Sequence, residues 1–417
     1  LRSLVGSEMC IRDRNTSGAV TFGVTGGYTI ANSAPINDSG IDNIATWNWN
    51  AGDTDGKTYT VTVVDDSGNK FRFDGFGTSA VTLDLAEGGT YIFNMDDSSN
   101  ATHPFSIGTA ANGTVYTSGI TYFLDGVSKT YSQYTSGFSS ATTRRLHITV
   151  PASAPVLYYW CSAHSGMGGQ INTNSTLGSS NFDGAIQSVV KTNATAGFSI
   201  TTYTGTGSST TVGHGLGKVP ACIFLKGRNF GDHWAVYHKN IGTSLSDSNR
   251  KLIKLNDEGV YQTSTSYWND TSPTSSVFSL GSDQRTNKNT GTFVAYCWAE
   301  IKGYSKFGQY RGNGNSTHGT YVECGFKPAF IIYKKTSGSD YWEMQNNVID
   351  TYNPINESLF PNTSGAQSTG RKVDFLANGF IHRNGNGNTN EDGHDYVFMA
   401  WAEHPGENQF GVTPHGR

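Results

Sequence analysis

The chain has 417 residues, room for about three domains, and a net charge of −4. This mildly acidic balance lacks the clustered Lys and Arg that phosphate binding needs, which excludes nucleic acid as a partner, and no stretch reaches the ~20 apolar residues of a membrane span. Charged residues are only 15% of the chain, Gly, Ser, Thr, Asn and aromatic residues are plentiful, and no sustained apolar run has helical spacing. Because aromatic and β-branched residues suit pleated sheets while Gly, Asn and Ser make turns, the composition predicts an all-β fold.

The first residues of the chain look like an artefact. Residues 4–14, LVGSEMCIRDR, resemble the in-frame translation of a transposon-type sequencing adapter, and they lack the apolar run of about 7–15 residues that a secretory leader needs. Residues 1–14 are therefore left out of the fold prediction. This interpretation implies that the natural N-terminus is missing and that the sequence was assembled from environmental DNA.

Residues 15–52 are predicted to be the end of a truncated repeat. Their last part, IATWNWNAG at residues 44–52, is similar to the Trp-containing strands that close two later repeats. The segment that follows, residues 57–173, is therefore expected to lie between repeat modules.

Residues 57–173 contain strands and one cluster of metal-binding residue types. Three runs alternate apolar and polar residues as half-buried strands do: residues 59–63, 81–85 and 146–150. The run VLYYWC, which ends at Cys161, leads into His164 and Met167 with Cys-x-x-His-x-x-Met spacing, and His103 lies far upstream in the segment THPF.

This pattern resembles the cupredoxin family, in the short-loop variant of amicyanin-like proteins. The resemblance implies a Greek-key sandwich and one type 1 copper site, with His103 and His164 as nitrogen ligands, Cys161 as the thiolate and Met167 as the weak axial thioether. Two imidazoles and a thiolate in a trigonal plane with a distant thioether are the ligands of a blue-copper site. Two alternatives are a sandwich that no longer binds metal and a thiol nucleophile; no third group that would orient a Cys–His pair is evident.

The C-terminal half contains a duplication, with predicted β-sandwich or jelly-roll-like repeats at residues 180–303 and 304–417. YTGTG at 203–207 recurs as YRGNG at 310–314, and VPACIFLK at 219–226 recurs as KPAFIIYK at 327–334. The copies close with FVAYCWAE and YVFMAWAE, which end at Glu300 and Glu403. The motif wording resembles repeat modules of predicted tail-fibre proteins of marine phages, and this resemblance implies a structural or adhesive role.

Aromatic and cysteine residues of the repeats have mainly structural interpretations. Trp298 and Trp401 lie within apolar closing strands and are predicted to be core residues. Trp268, in the polar sequence YWND, is the candidate exposed residue for stacking against a sugar. Cys222 and Cys297 lie in apolar runs, which predicts buried free thiols.

The leading hypothesis is a non-enzymatic phage virion protein, a tail fibre or related surface protein with a type 1 copper site. Its expected place is the virion tail or another extracellular location. The expected partners are a host cell-surface receptor such as a glycan, other virion tail proteins and further copies of the chain. Several copies together would gain avidity for the receptor. Two alternatives stay open: a secreted or periplasmic blue-copper electron-transfer protein with β-sandwich anchor repeats, and a bacterial lectin-like adhesin.

Overall fold

The computed structural model describes residues 20–24, 27–30, 47–52, 56–174, 178–242, 245–363 and 366–404. The adapter-like residues 1–14 and most of the 15–52 segment lie outside these described residues. Within them, strands in several sheets dominate and the helices are short, so the prediction of an all-β sandwich fold is confirmed. The first two strands, β1 (Val20–Val24) and β2 (Gly27–Ile30), form an antiparallel pair. None of the helices in the described part of the chain has the length and apolar character needed to cross a membrane.

Residues 56–174 form a sandwich of two sheets. The strands are β3 (Gly56–Asp65), β4 (Asn69–Phe73), β5 (Leu83–Ala86), β6 (Thr90–Asn94), β7 (Phe105–Gly108), β8 (Ile120–Leu124), β9 (Val127–Lys129), β10 (Arg144–Thr149), β11 (Leu157–Cys161) and β12 (Gly169–Asn174). One sheet has the order β4-β3-β6-β10-β8-β9 and the other the order β5-β12-β11-β7. The helical segments are α1 (Tyr131–Gly137) and the 3₁₀ helices Ser98–Asn100 and Phe138–Ser140.

Alternation along the strands builds the core of this sandwich, which we call the N-terminal module. In β10, Leu146 and Ile148 are buried, while the alternate residues Arg145 and His147 are only partly buried. The inward side chains of both sheets meet in one aromatic cluster in which the rings of Phe93 and Phe105 stack with centroids 4.8 Å apart. A core this rich in aromatic rings gives the module a rigid frame for the loops at its ends.

The first repeat contributes one large sheet and one small sheet. Its strands are β13 (Ser179–Asn181), β14 (Ser188–Asn193), β15 (Phe198–Thr204), β16 (Thr210–Gly213), β17 (Cys222–Gly227), β18 (Ala235–His238), β19 (Lys251–Lys254), β20 (Gln262–Thr263), β21 (Val277–Leu280) and β22 (Thr292–Trp298). The large sheet has the order β13-β14-β15-β22-β17-β18-β19-β20, and β16 pairs with β21. Its short helices are α2 (Leu245–Ser248), α3 (Thr265–Trp268) and α4 (Gln284–Asn287).

The second repeat has the same plan on a smaller scale. Its strands are β23 (Ser305–Arg311), β24 (Tyr321–Glu323), β25 (Pro328–Lys335), β26 (Trp342–Asn346), β27 (Val373–Leu376), β28 (Gly379–His382) and β29 (Asp395–Ala402), with α5 at Gly387–Asn390. The sheet orders are β23-β29-β25-β26 and β24-β28-β27. Equivalent residues make equivalent contacts: the Tyr203 hydroxyl donates to the Thr286 carbonyl at 2.6 Å, and the Tyr310 hydroxyl donates to the Thr389 carbonyl at 2.6 Å.

The two repeats share a core. One face of each large sheet packs on the small sheet of its own repeat. The opposite faces pack on each other in a single cluster that contains Trp298 from β22 and Trp401 from β29. The repeats therefore form a four-layered stack whose central core belongs to both repeats. Cys222 and Cys297 are free and buried, as predicted, and the Cys222 thiol donates to the sulfur of Met399 across the shared core at 3.5 Å.

The small sheet of the second repeat has a buried histidine where that of the first repeat has a leucine. His382 lies two positions after Phe380 on β28, where the first repeat has Leu280 two positions after Phe278 on β21. Both ring nitrogens of His382 are buried and have no hydrogen-bond partner among the described residues. Burial lowers the pKa of His382 to about 3.

We expect His382→Leu to make the protein less sensitive to acid. The pKa of His382 is about 3 in the folded protein and about 6.5 in the unfolded chain, so the unfolded chain binds more protons between these two pH values. The contribution of His382 to the free energy of unfolding is therefore fully present above about pH 6.5 and is lost progressively as the pH falls below that value. When the pH falls from about 7.5 to 5, His382 should account for a decrease of about 2 kcal/mol in the free energy of unfolding, and the leucine variant should lack this decrease. Denaturant unfolding at both pH values measures the loss, and the exposed His318→Gln serves as the control. An equal loss in wild type and His382→Leu would contradict the assignment.

Candidate metal centre

The pairing of β7 with β11 brings the two halves of the predicted metal site together. Cys161, the last residue of β11, lies opposite Phe105, the first residue of β7. The backbone N–H of Ser162 donates to the carbonyl of Pro104 at 2.9 Å and extends the ladder by one residue. His103 therefore leaves the sheet at the same end as Cys161, although 58 positions separate them in sequence.

Three of the four predicted ligands converge closely. The sulfur of Cys161 lies 3.8 Å from Nδ1 of His103 and 3.6 Å from Nδ1 of His164. The candidate ligand atoms of the three residues all lie within 4.8 Å of one another. An ion about 2.3 Å from a thiolate and about 2.0–2.1 Å from an imidazole nitrogen, with bond angles near 110–120°, would place sulfur and nitrogen about 3.5–3.8 Å apart. The spacing fits a single bridging metal ion.

Burial differs across this cluster. Cys161 and His103 are buried at 2% and 8% exposure, whereas His164 is exposed at the surface. Met167 is buried in the aromatic core of the N-terminal module, three residues after His164. Met167, the fourth predicted ligand, therefore lies on the inner side of the loop that carries Cys161 and His164.

The loop is tied to the neighbouring sheet on its far side. The backbone N–H of Phe71 on β4 donates to the carbonyl of Met167 at 2.9 Å, and the Lys70 ammonium donates to the carbonyl of Gly166. At Gly168 a Cβ atom would overlap the carbonyl of Tyr159, so only glycine allows this approach of the loop to β11. Neither Phe71 nor Gly168 was predicted to support the site, although the Gly168-Gly169 pair directly after Met167 was a signal in the sequence.

Burial disfavours the charged forms of both buried members of this cluster. Burial raises the pKa of the Cys161 thiol, while backbone N–H groups of Ala163 and His164 that donate to its sulfur lower it. Burial lowers the pKa of His103, and the neighbouring His164 lowers it further. Metal ligands must be a thiolate and neutral imidazoles, and two N–H donors already aim at the sulfur on which negative charge would develop. Two imidazoles and one thiolate, with a methionine three residues after His164, are side-chain types that bind type 1 copper.

Comparison with known proteins covers mainly the repeats. A family model described as Domain of unknown function (DUF7483) matches residues 171–405, more than half of the chain. The chain belongs to this family. No curated protein and no solved structure matches it. The DUF7483 match begins within β12 and spans both repeats, which also share one core. The cluster of His103, Cys161 and His164 lies N-terminal to the matched region.

Within the DUF7483 region, the prediction that Trp268 is an exposed sugar-stacking residue is wrong. Its side chain is 2% exposed, its indole N–H donates to the carbonyl of Lys251 at 2.8 Å, and its ring packs edge-on against Tyr237. The cause is local: α3 ends at Trp268, and Asn269 follows in the left-handed conformation, so polar neighbours surround a side chain that enters the core.

The duplicated carboxylates of the DUF7483 region make structural contacts. Glu300 forms ion pairs with Lys239 at 2.7 Å and with Lys306 at 2.9 Å. Glu403 pairs with Lys327 at 2.8 Å and accepts from the side chain of Asn347 at 2.9 Å. In each repeat the carboxylate ties the end of the closing strand to neighbouring strands.

Proposed function

We propose that the N-terminal module binds one copper ion in a type 1 site, within a structural and adhesive phage virion protein of the tail-fibre type. The observation that carries the copper assignment is the convergence of His103, Cys161 and His164 at metal-ligand spacing. Among the described residues, these three side chains form the group of His, Cys, Asp or Glu residues whose ligand atoms lie close enough together to hold one metal ion.

The residues of the chain have distinct roles in this proposal. His103 and His164 offer neutral imidazole nitrogens, Cys161 offers a thiolate, and Met167 offers a weak axial thioether. The β7–β11 ladder and the contact between Phe71 and Met167 hold these residues in place in the folded module. Copper bound there would supply one-electron redox chemistry. Because the ligands converge only in the folded chain, binding also stabilises the module, which suits a protein exposed outside a cell.

Titration of the full chain with Cu(II) tests the site. We expect an intense absorption band at about 600 nm from the short copper–thiolate bond of a type 1 site. Cys161→Ser should abolish the band, because an alcohol replaces the thiolate. Cys324→Ser, which removes a free cysteine of the second repeat, should retain it. A mixture that stays colourless would reject the assignment.

The virion role has separate support. Residues 180–417 resemble tail-fibre repeat modules, and the shared core of the repeats gives a stable, broad β-structure that suits attachment to a host receptor such as a surface glycan. Other tail proteins and further copies of the chain are the proposed partners. Genes for baseplate, capsid or terminase proteins beside the coding sequence would support this role.

The exposure of His164 favours a second candidate, electron transfer, because a solvent-facing ligand gives a redox partner short access to the site. Respiratory-chain genes beside the coding sequence would favour this candidate over attachment.

A further inference from the structure

Among the described residues, one strand of the first repeat has no counterpart in the second. In the first repeat, β14 pairs with the outer edge of β15 along residues Ser188–Asn193. In the second repeat, β23 corresponds to β15, since each pairs with the closing strand of its repeat. Within the described residues β23 pairs with β29 alone. Only residues 299–304 connect β22 to β23, so the chain has no room there for a preceding strand.

The segment around β14 also reaches the small sheet of the first repeat. Ile186, two residues before β14, forms a parallel bridge with Val212 on β16. The Ser188 hydroxyl donates to the carbonyl of Gly213 at 2.9 Å. Residues 186–193 therefore fill the space between the edge of β15 and the edge of β16.

In the second repeat, the corresponding space is a groove between β23 and β24. β24 corresponds to β16, because Val322 on β24 lies opposite Phe380 just as Val212 on β16 lies opposite Phe278. A cavity of about 500 Å³ lies between β23 and β24, and its lining is mainly polar and charged.

Two equivalent glycines show the difference between the repeats directly. Gly215 lies two residues after β16, and a Cβ at this position would lie 2.8 Å from the side chain of Val190 on β14. Gly325 lies two residues after β24 and lines the groove, and a Cβ there would meet no heavy atom within 4 Å among the described residues. The groove therefore has the place and the size of a strand that the first repeat supplies and the second does not.

The backbone of β23 is able to pair along this groove. The N–H of Phe307 donates to the carboxylate of Glu300 at 3.4 Å, on the side away from β29. The carbonyl of Arg311 accepts from the Thr320 hydroxyl at 2.6 Å on the same side. Because backbone groups alternate in direction along a strand, the exposed Gln309 between them presents its N–H and C=O to the groove. Such an open edge pairs readily with an extended segment.

We propose that residues 405–417 of the same chain, the C-terminal segment, occupy this groove as a strand beside β23. The described chain ends close to the groove: the N–H of Ala402 donates to the carbonyl of Tyr304, directly before β23, at 2.9 Å. The position beyond β23 lies about 10 Å from β29, and residues 405–417 reach about 40 Å when extended. The segment enters at the Ser305 end and runs parallel to β23. Docking closes an edge that would otherwise pair with other chains.

The sequence of the C-terminal segment suits a strand. Phe410, Val412 and Thr413 are residue types that favour strands, and alternation places Phe410 and Val412 on one face. The segment also has the spacing of β23, because the Glu, Gly, Phe and Gly at positions 300, 303, 307 and 308 recur at 403, 406, 410 and 411. Pro414 ends the run, since proline has no backbone N–H to donate.

Hydrogen exchange tests the proposal on the full chain. Deletion of residues 405–417 should speed exchange of the Gln309 amide by about tenfold or more, because its N–H loses its acceptor. The amide of Val397, on β29 between β23 and β25, should keep its protection and so show that the truncated chain remains folded. A synthetic peptide of residues 405–417, added to the truncated chain, should restore the protection of Gln309.

Proline substitutions separate strand pairing from the mere presence of the segment. Gly411→Pro together with Val412→Pro removes two consecutive N–H groups, one of which faces β23 whatever the register, and should reproduce the effect of the deletion. His415→Pro together with Gly416→Pro adds the same number of prolines beyond Pro414 and should leave the exchange of Gln309 as in wild type.

Two results would overturn the proposal. Equal exchange of the Gln309 amide in the full and the truncated chain would mean that the C-terminal segment does not cover β23. Protection of Gln309 that falls on dilution of the full chain, with a dimer detected by light scattering, would mean that a second copy supplies the strand. Neither result bears on the proposed copper site.

Discussion

Trp401→Ala is expected to destabilise both repeats together. Trp401 is buried in the shared core, with ring centroids 5.2 Å from Trp49, 5.4 Å from Phe330 and 5.7 Å from Phe307. Removing such a ring from a packed core lowers the free energy of unfolding by about 3–5 kcal/mol. Because the sheets of both repeats bury their faces against this cluster, protection of backbone amides from hydrogen exchange should fall in β22 as well as in β29.

The control for this substitution lies in the same repeat. Val348→Ala changes a side chain that is 81% exposed, and its effect should stay within about 0.5 kcal/mol. If Trp401→Ala lowers protection in β29 while β22 keeps its wild-type protection, the repeats unfold independently, and the shared core does not couple them.

The closing strands β22 and β29 show which part of the core could be predicted from the sequence. Trp298 and Trp401 were predicted to be core residues, and both are buried. That the two rings meet in one core was not predicted. A signal was present in β29, where apolar residues run without alternation from Tyr396 to Ala402, a pattern typical of strands buried on both faces. What the second face packs against depends on contacts between the repeats, which no local pattern encodes.

The residue types of the proposed metal centre could be predicted from the sequence more readily than their arrangement in space. The Cys-x-x-His-x-x-Met spacing identified the loop, because a short turn keeps these side chains close together whatever the rest of the chain does. The approach of His103 depends on the register that sets Phe105 opposite Cys161, and strand register is a tertiary property. Trp268 shows the opposite case, since its polar neighbours predicted exposure and the turn at Asn269 directs the ring inward.

Gly168→Ala is expected to damage the proposed metal centre without replacing any of its proposed ligands. A Cβ at this position would overlap the backbone carbonyl of Tyr159, and the backbone of Trp160 lies next to it, so the loop or β11 must shift. Met167 precedes this glycine and Cys161 follows Trp160, which means that any shift displaces ligands on both sides. Changes in residues that position metal ligands typically cost about 10–100-fold in metal affinity, and we expect a loss of this size for Cu(II).

Gly77→Ala provides the matched control, because a Cβ there meets no heavy atom within 4 Å. Copper titration and denaturant unfolding of the metal-free proteins, carried out on both variants, separate the two effects of the clash. A Gly168→Ala protein that unfolds like the control but binds copper weakly would locate the damage in the ligand loop. A Gly168→Ala protein with the affinity and the absorption band of the control would mean that the loop adjusts freely, and the geometry of the centre would not depend on its close packing against β11.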